Sequence, residues 1–354
     1  MDGSDHAVAL RAALGAGLVI PAHPLALTAG RTLDERCQRA LTRYYLDAGA
    51  GGLAVGVHTT QFEIRRPEHA LYRPVLELAA ETARAWPRES SAPLVLVAGA
   101  IGDTKQAVAE AEIASALGYD MVLVGLGALR DATDEALVAH CRAVAEVLPV
   151  FGFYLQPAVG GRVLGYAFWC AFAEIERAWA IKIAPFDRYR TLEVVRAVAD
   201  SGRTDLALYT GNDDAIVADL LTPYAVGADG AARRIVGGLL GQWAVWTHSA
   251  VRLFERIRAA RDTGTIDASL LREGAALTDA NAAIFDAAHG FAGCIPGIHE
   301  VLRRQGLLRG TWCLDPRETL SPGQSAEIDR VWTAHPELAD DEFVGQRIEG
   351  WMGG

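Results

Sequence analysis

Lysine is nearly missing from this sequence. Lys105 and Lys182 are the only two in 354 residues, so 31 of the 33 basic residues are arginine. Positive surface built this way asks what arginine cannot do at the two exceptions. Arginine keeps its proton, whereas a lysine can lose it and act as a neutral amine. A basic face is missing too: the formal net charge is −11, which excludes a general phosphate-backbone binder, so no nucleic-acid partner is expected. No charge-free apolar run reaches 18 residues, so no membrane span is expected. The five cysteines, Cys37, Cys141, Cys170, Cys294 and Cys313, are scattered and contain no C-x-x-C pair. This excludes a disulfide frame or zinc knuckle and suits free thiols in a reducing cytosol. The segment Met1 to Arg11 has no basic n-region, so a cytoplasmic protein without a signal peptide is expected.

What is present is an alternation of short apolar runs and helical stretches. Strands are expected near Gly17–Ala22, Gly52–Val57, Pro93–Ala100, Met121–Gly125, Val150–Leu155, Trp179–Ile183, Leu206–Thr210 and Gly227–Ile235. Between them, Thr32–Ala48, Thr104–Leu117 and Asp134–Val147 show a helical period, with Asp103 and Thr133 as N-caps. Strand–helix alternation implies a parallel sheet, and eight runs at regular spacing favour a closed (β/α)8 TIM barrel, an α/β fold, over an open sheet. No G-x-G-x-x-G follows the first run, which weakens a dinucleotide site. The expected organisation is a barrel over 1–235 and a helical appendage with a tail over 236–354. Leu307–Thr319 reads as a loop and Ser321–Trp332 as a helix beginning at Pro322.

Active sites of such barrels lie at the C-terminal ends of the strands. Lys182 stands between two isoleucines inside a strand, where burial disfavours a charged amine and a ketone would meet a nucleophile. A snorkelling edge lysine is the plainer alternative. Tyr154 ends the preceding run and offers a phenol for proton transfer, although a tyrosine there is often structural. Gly56-Val57-His58-Thr59-Thr60 brings two hydroxyls to a strand end, where they suit a carboxylate. In Gly211-Asn212-Asp213-Asp214, Asp213 either positions substrate or caps a helix.

This order of motifs, from Gly-Val-His-Thr-Thr through Tyr154-Leu-Gln-Pro and Ile-Lys182 to Gly211-Asn-Asp-Asp, resembles the dihydrodipicolinate synthase/N-acetylneuraminate lyase family over about residues 15–310. The resemblance implies a class I aldolase in which Lys182 forms the Schiff base with pyruvate or a related 2-keto acid. It implies Tyr154 as the strand-five tyrosine, Thr59 as a proton relay and Thr60 as the grip on the keto-acid carboxylate. It places His58 and Gly211 beside the substrate, and Arg162 opposite the second substrate's acid group. A homo-oligomer, dimer or tetramer, is implied as well, with an aldehyde or keto-acid co-substrate and no separate cofactor or metal.

Departures narrow the function. His58 and Gln61 stand where the family has glycines, and Gly125–Leu129 replaces a Pro-Tyr-Tyr element. The tyrosine relay of the lysine-pathway synthase is therefore incomplete, and that activity is not expected. The second substrate's pocket depends on loop residues such as Phe62, Tyr72, Arg162, Trp169 and Trp243; Trp169 and Trp243 are candidates for apolar or aromatic walls, which suits an aromatic or alkyl aldehyde, with a sugar acid next. Two competing readings are a metal-dependent aldolase built on His23, His58 and Asp213, and a non-catalytic keto-acid sensor on the same barrel.

Overall fold

The computed structural model describes residues 3–88, 90, 92–228 and 230–353. Eight parallel strands form a nearly closed barrel alternating with helices, followed by C-terminal helices. The strands are β1 Val19–Pro21, β2 Gly52–Val55, β3 Val95–Ala100, β4 Met121–Val124, β5 Val150–Leu155, β6 Ala178–Ala184, β7 Ala207–Thr210 and β8 Ile235–Leu240. Their order in the sheet is β1-β8-β7-β6-β5-β4-β3-β2, and a parallel bridge between Ala22 and Ala54 joins the two ends. No described helix is long and apolar enough to cross a membrane.

The chain divides into two compact units, Met1–Leu18 with Ala92–Leu239, and Val19–Ser91 with Leu240–Gly354. In the first, Asp103 and Thr133 cap their helices as expected, accepting from Gln106 N (2.8 Å) and Ala136 N (3.3 Å). Each such cap is worth about 1 kcal/mol. Strand period sorts the side chains of β5 into two faces. Phe151 lies edge-on to Tyr209 at 5.3 Å between ring centres. Gly152 takes the opposite face, where an added Cβ would stand 2.7 Å from the Phe172 ring of helix Tyr166–Ala173.

The second unit is held by its C-terminal helix, Asp341–Met352. Trp351 packs on Tyr44 of helix Glu35–Asp47 at 5.4 Å, and its indole N–H donates to Asp47 Oδ2 at 2.7 Å. Asp340 accepts from the Tyr44 hydroxyl (2.7 Å) and from Gln305 Nε2 (2.8 Å), so the tail is part of this unit's core.

Two sequence expectations shift. Strand eight is Ile235–Leu240 rather than 227–235, so 236–240 is strand and not helix; within the expected stretch Asp229 lies outside the described residues. Gly237 and Gly238 disguise the strand, yet a Cβ at Gly237 would stand 2.6 Å from Leu18 N and O, so the close backbone approach requires glycine. The penultimate helix is Gln324–Ala334, starting after Gly323 instead of at Pro322.

Candidate active site

Lys182 sits mid-strand on β6, 8% exposed. Its register partners are Phe153 on β5 and Tyr209 on β7. The ammonium nitrogen lies over the Phe153 ring, 4.6 Å from its centre. Such a contact favours a cation at Nζ, by about 0.5–2 kcal/mol depending on desolvation. The protonated imine formed by a lysine is also a cation, so the same ring would support it.

Gly211, just past β7, makes the space this side chain occupies. A Cβ there would stand 2.6 Å from Lys182 Cε and 2.7 Å from Ala184 Cβ, contacts that real Cβ atoms do not make. Its amide donates to Ile183 O at 2.7 Å, which locks the backbone in place. Below it is a buried polar network that sequence reading missed. Asp219, fully buried, accepts from Thr210 Oγ1 (2.6 Å), Asn212 Nδ2 (2.9 Å) and Tyr224 OH (3.1 Å), and pairs with Arg188. Asn212 Oδ1 in turn accepts from Phe186 N at 3.0 Å, tying the loop after β6 to the loop after β7. A satisfied buried network of this kind makes a loop rigid. Asp213 does not cap the following helix, Ile216–Leu221, whose N-cap is Ala215 without a side-chain bond.

By register Tyr154 does not lie opposite Lys182. Its register partner is Ile183, one place beyond Lys182, and a shift of one residue in a strand turns a side chain to the other face. The ring lies against Trp169 at 5.6 Å on the helix-layer side, and its hydroxyl accepts from Leu164 N at 3.3 Å. Burial pushes that hydroxyl above its ordinary value. Phe153 holds the place beside Lys182, so strand five brings a ring without a hydroxyl. Tyr154→Phe is therefore expected to change turnover by less than about tenfold, against the 10²–10⁴ of a general acid or base. Steady-state rates at saturating keto acid check this, and a larger loss returns Tyr154 to the chemistry.

Trp169 is fully buried among Phe168, Phe172 and Tyr154, and in the other unit Trp243 is buried against Phe254. Trp169 is thus packing inside its unit, whereas Trp243 and Trp246 line a pocket of the second unit together with Arg252, Arg256 and Glu273. Arg162 clamps two loops: its Nη1 donates to Leu129 O (2.6 Å) and Ala132 O (3.0 Å). Gly127 permits this approach, since a Cβ would stand 2.3 Å from Gly160 O.

In the second unit, Thr59 and Thr60 are buried in a single turn of 3-10 helix, His58–Thr60. Thr59 Oγ1 donates to Ala22 O at 2.8 Å, and Thr60 Oγ1 donates to His23 O at 2.7 Å while accepting from Gly56 N at 3.0 Å. Either hydroxyl must turn its hydrogen from a carbonyl to hold a carboxylate. His58 is partly exposed, its ring edge-on to Phe62 at 5.8 Å. His23 is a buried structural group. Its Nε2 bonds Thr42 Oγ1 (2.9 Å), its Nδ1 faces Pro24 O (2.9 Å) and Gln38 Nε2 (3.0 Å), and burial lowers its pKa to about 4. Both ring nitrogens are thus engaged, and among the described residues no three His, Cys, Asp or Glu side chains gather into a metal-binding group.

The description "Dihydrodipicolinate synthetase family" matches residues 18–248, well over half of the chain. The chain belongs to this family. Its members are lyases and synthases of class I aldolase type. A 4-hydroxy-tetrahydrodipicolinate synthase of Bifidobacterium longum (strain DJO10A) is 26% identical over 226 residues, 63% of this chain and 69% of its own. Among solved structures, dihydrodipicolinate synthase from Acinetobacter baumannii complexed with pyruvate superposes with a TM-score of 0.71 at 17% identity, over 91% of this chain and 98% of that one. CdNal from Clostridium difficile, in complex with mannosamine, gives 0.70 at 17% identity, over 90% and 98%. These two likenesses establish the barrel.

Proposed function

We propose that this chain is a Schiff-base-forming lyase or aldolase that takes pyruvate or a related 2-keto acid on Lys182, and that it is not the lysine-pathway synthase. The observation that carries this is the fit of Lys182, one of two lysines in the chain, into space left by the missing side chain of Gly211. The neutral amine adds to the ketone carbon, and with one added proton the carbonyl oxygen leaves as water, giving a protonated imine. That cation draws electrons from the adjacent carbon. It thereby serves aldol cleavage, condensation or loss of water equally.

The resemblance assigns the keto-acid carboxylate to Thr60 and proton relay to Thr59. His58 stays a substrate-side candidate on the same turn. Arg162, with Nη1 spent on two carbonyls, supports the second substrate by holding its loop rather than by offering that nitrogen. Two departures support the exclusion of the lysine pathway: Gly125–Leu129 carries no hydroxyl, and Phe153 faces the amine where a phenol would serve a relay. Phe153 is also what favours a second reading, a keto-acid-binding protein on this barrel without rapid turnover.

Pyruvate with borohydride, followed by peptide mapping, is expected to place one reduced pyruvyl adduct on the peptide carrying Lys182. An adduct confined to Lys105, or none with any 2-keto acid, defeats the proposal. Assays with pyruvate and a panel of aldehydes, aspartate semialdehyde included, separate the two readings. Efficient use of the semialdehyde, with kcat/KM above roughly 10⁴ M⁻¹s⁻¹, would restore the lysine-pathway activity. An adduct without turnover of any partner would select the sensor.

A further inference from the structure

The turn that holds Thr59 and Thr60 continues into a residue under two separate costs. Gln61 has φ +66°, a region that favours glycine, and is fully buried. Its Nε2 is buried without a hydrogen-bond partner among the described residues. Left-handed backbone costs a non-glycine residue on the order of 1 kcal/mol, and a buried unmet donor about 1–3 kcal/mol. Residues in such positions persist when their surroundings over-determine them. Here the surroundings are the C-terminal segment. Gln61 Oε1 accepts from Leu314 N at 2.6 Å, a bond spanning more than 250 residues of sequence.

Two further anchors tie the same segment to the same part of the unit. Arg31 Nε donates to Cys313 O at 2.9 Å, and Arg309 pairs with Asp34 at 3.2 Å. Asp34 is the N-cap of helix Glu35–Asp47, accepting from Cys37 N. Residues 309–314 have no helix or strand of their own, yet Cys313 and Leu314 are buried. An irregular segment held by three distant anchors on one side is built as a brace.

We propose that Gln61 is a positioning residue through which the 309–314 segment sets the affinity of the Thr59–Thr60 turn for the keto-acid carboxylate. A flexible turn loses ordering entropy when a ligand binds, and a braced one has already lost it. This rests on the proposed keto-acid site and adds to it a part for the tail. In Gln61→Gly the backbone is relaxed and the bond to Leu314 is gone. In Arg31→Ala the brace is loosened from the other side without touching the turn.

The test is borohydride trapping over a range of pyruvate concentrations, with thermal unfolding measured in parallel. Both variants are expected to form the adduct at saturating pyruvate with wild-type yield. Their half-saturating concentration is expected to rise, by about tenfold for Gln61→Gly, the worth of one well-made hydrogen bond. A wild-type half-saturation in Gln61→Gly overturns the brace. So does a shift in Gln61→Gly that Arg31→Ala fails to share. Absence of any adduct in the wild-type protein is a different result and defeats the keto-acid site itself.

Discussion

Lys182→Arg is expected to abolish pyruvate trapping and turnover altogether, while the protein stays folded. Arginine matches lysine in length and charge, so the contact with Phe153 and the cation at that point can persist. What is lost is the ability to shed a proton and expose a lone pair, because the guanidinium holds its charge throughout the accessible pH range. Nucleophilic addition has no substitute once the amine is gone. The loss in kcat should therefore exceed the 10²–10⁴ of a missing acid or base, with residual activity at background. Circular dichroism and unfolding temperature check that the fold survives, and peptide mapping checks for adducts. A Lys182→Arg protein that still traps pyruvate at wild-type yield rules out imine formation at this position, with Lys105 the other amine to test.

Gly211→Ala is expected to be nearly as damaging, although alanine adds a single methyl group. Its Cβ would stand 2.6 Å from Lys182 Cε and 3.0 Å from Lys182 Cγ, in a strand end locked by the bond from Gly211 N to Ile183 O. The backbone cannot retreat, because Asn212 is fixed by Asp219 and by the loop at Phe186. The lysine must therefore leave its seat over Phe153, and strand six must also give at Ala184, whose Cβ would stand 2.7 Å from the new methyl group. Overpacking of this size costs about 1–3 kcal/mol of stability. Displacing the reacting atom by about 1 Å can cost on the order of 10² in rate. Trapping rate and thermal unfolding, measured together, should show a large kinetic defect with a modest loss of stability. A Gly211→Ala enzyme with wild-type trapping would mean that the Lys182 side chain has a second seat of equal quality.

The two positions differ in how they announced themselves. Lys182 stood out by composition, since a chain that writes its cations as arginine kept lysine between two isoleucines. The chemistry proposed for that atom was therefore arguable before any fold. Gly211 entered only through resemblance, and its reason is a contact across two strands. Asp219 and Arg188 were passed over for the same cause, because a buried carboxylate and its four partners look like ordinary helix residues until the loops are brought together.

Tyr154 shows the limit most directly. Counted back from Pro157 it resembles the strand-five tyrosine; by register with β6 that place belongs to Phe153. The two readings differ by one residue, and in a strand one residue is the difference between the barrel interior and the helix layer. Strand eight was misplaced for a related reason: Gly237 and Gly238 remove the apolar pattern at the spot where the backbones come closest.

The sequence by itself determined the fold class, the periodicity of most strands and helices, and the N-caps at Asp103 and Thr133, and it singled out the lysine on which the proposed chemistry turns. These follow from local patterns, namely hydrophobic period, capping side chains and an unusual residue choice, all written within a few positions of the chain. Only the tertiary structure decided which face each side chain of β5 takes, that Trp169 and Trp243 are buried, and that a bond from Leu314 reaches Gln61. Those depend on register and on contacts between residues tens to hundreds of positions apart. A one-residue slip or a single close approach changes them without altering any local pattern.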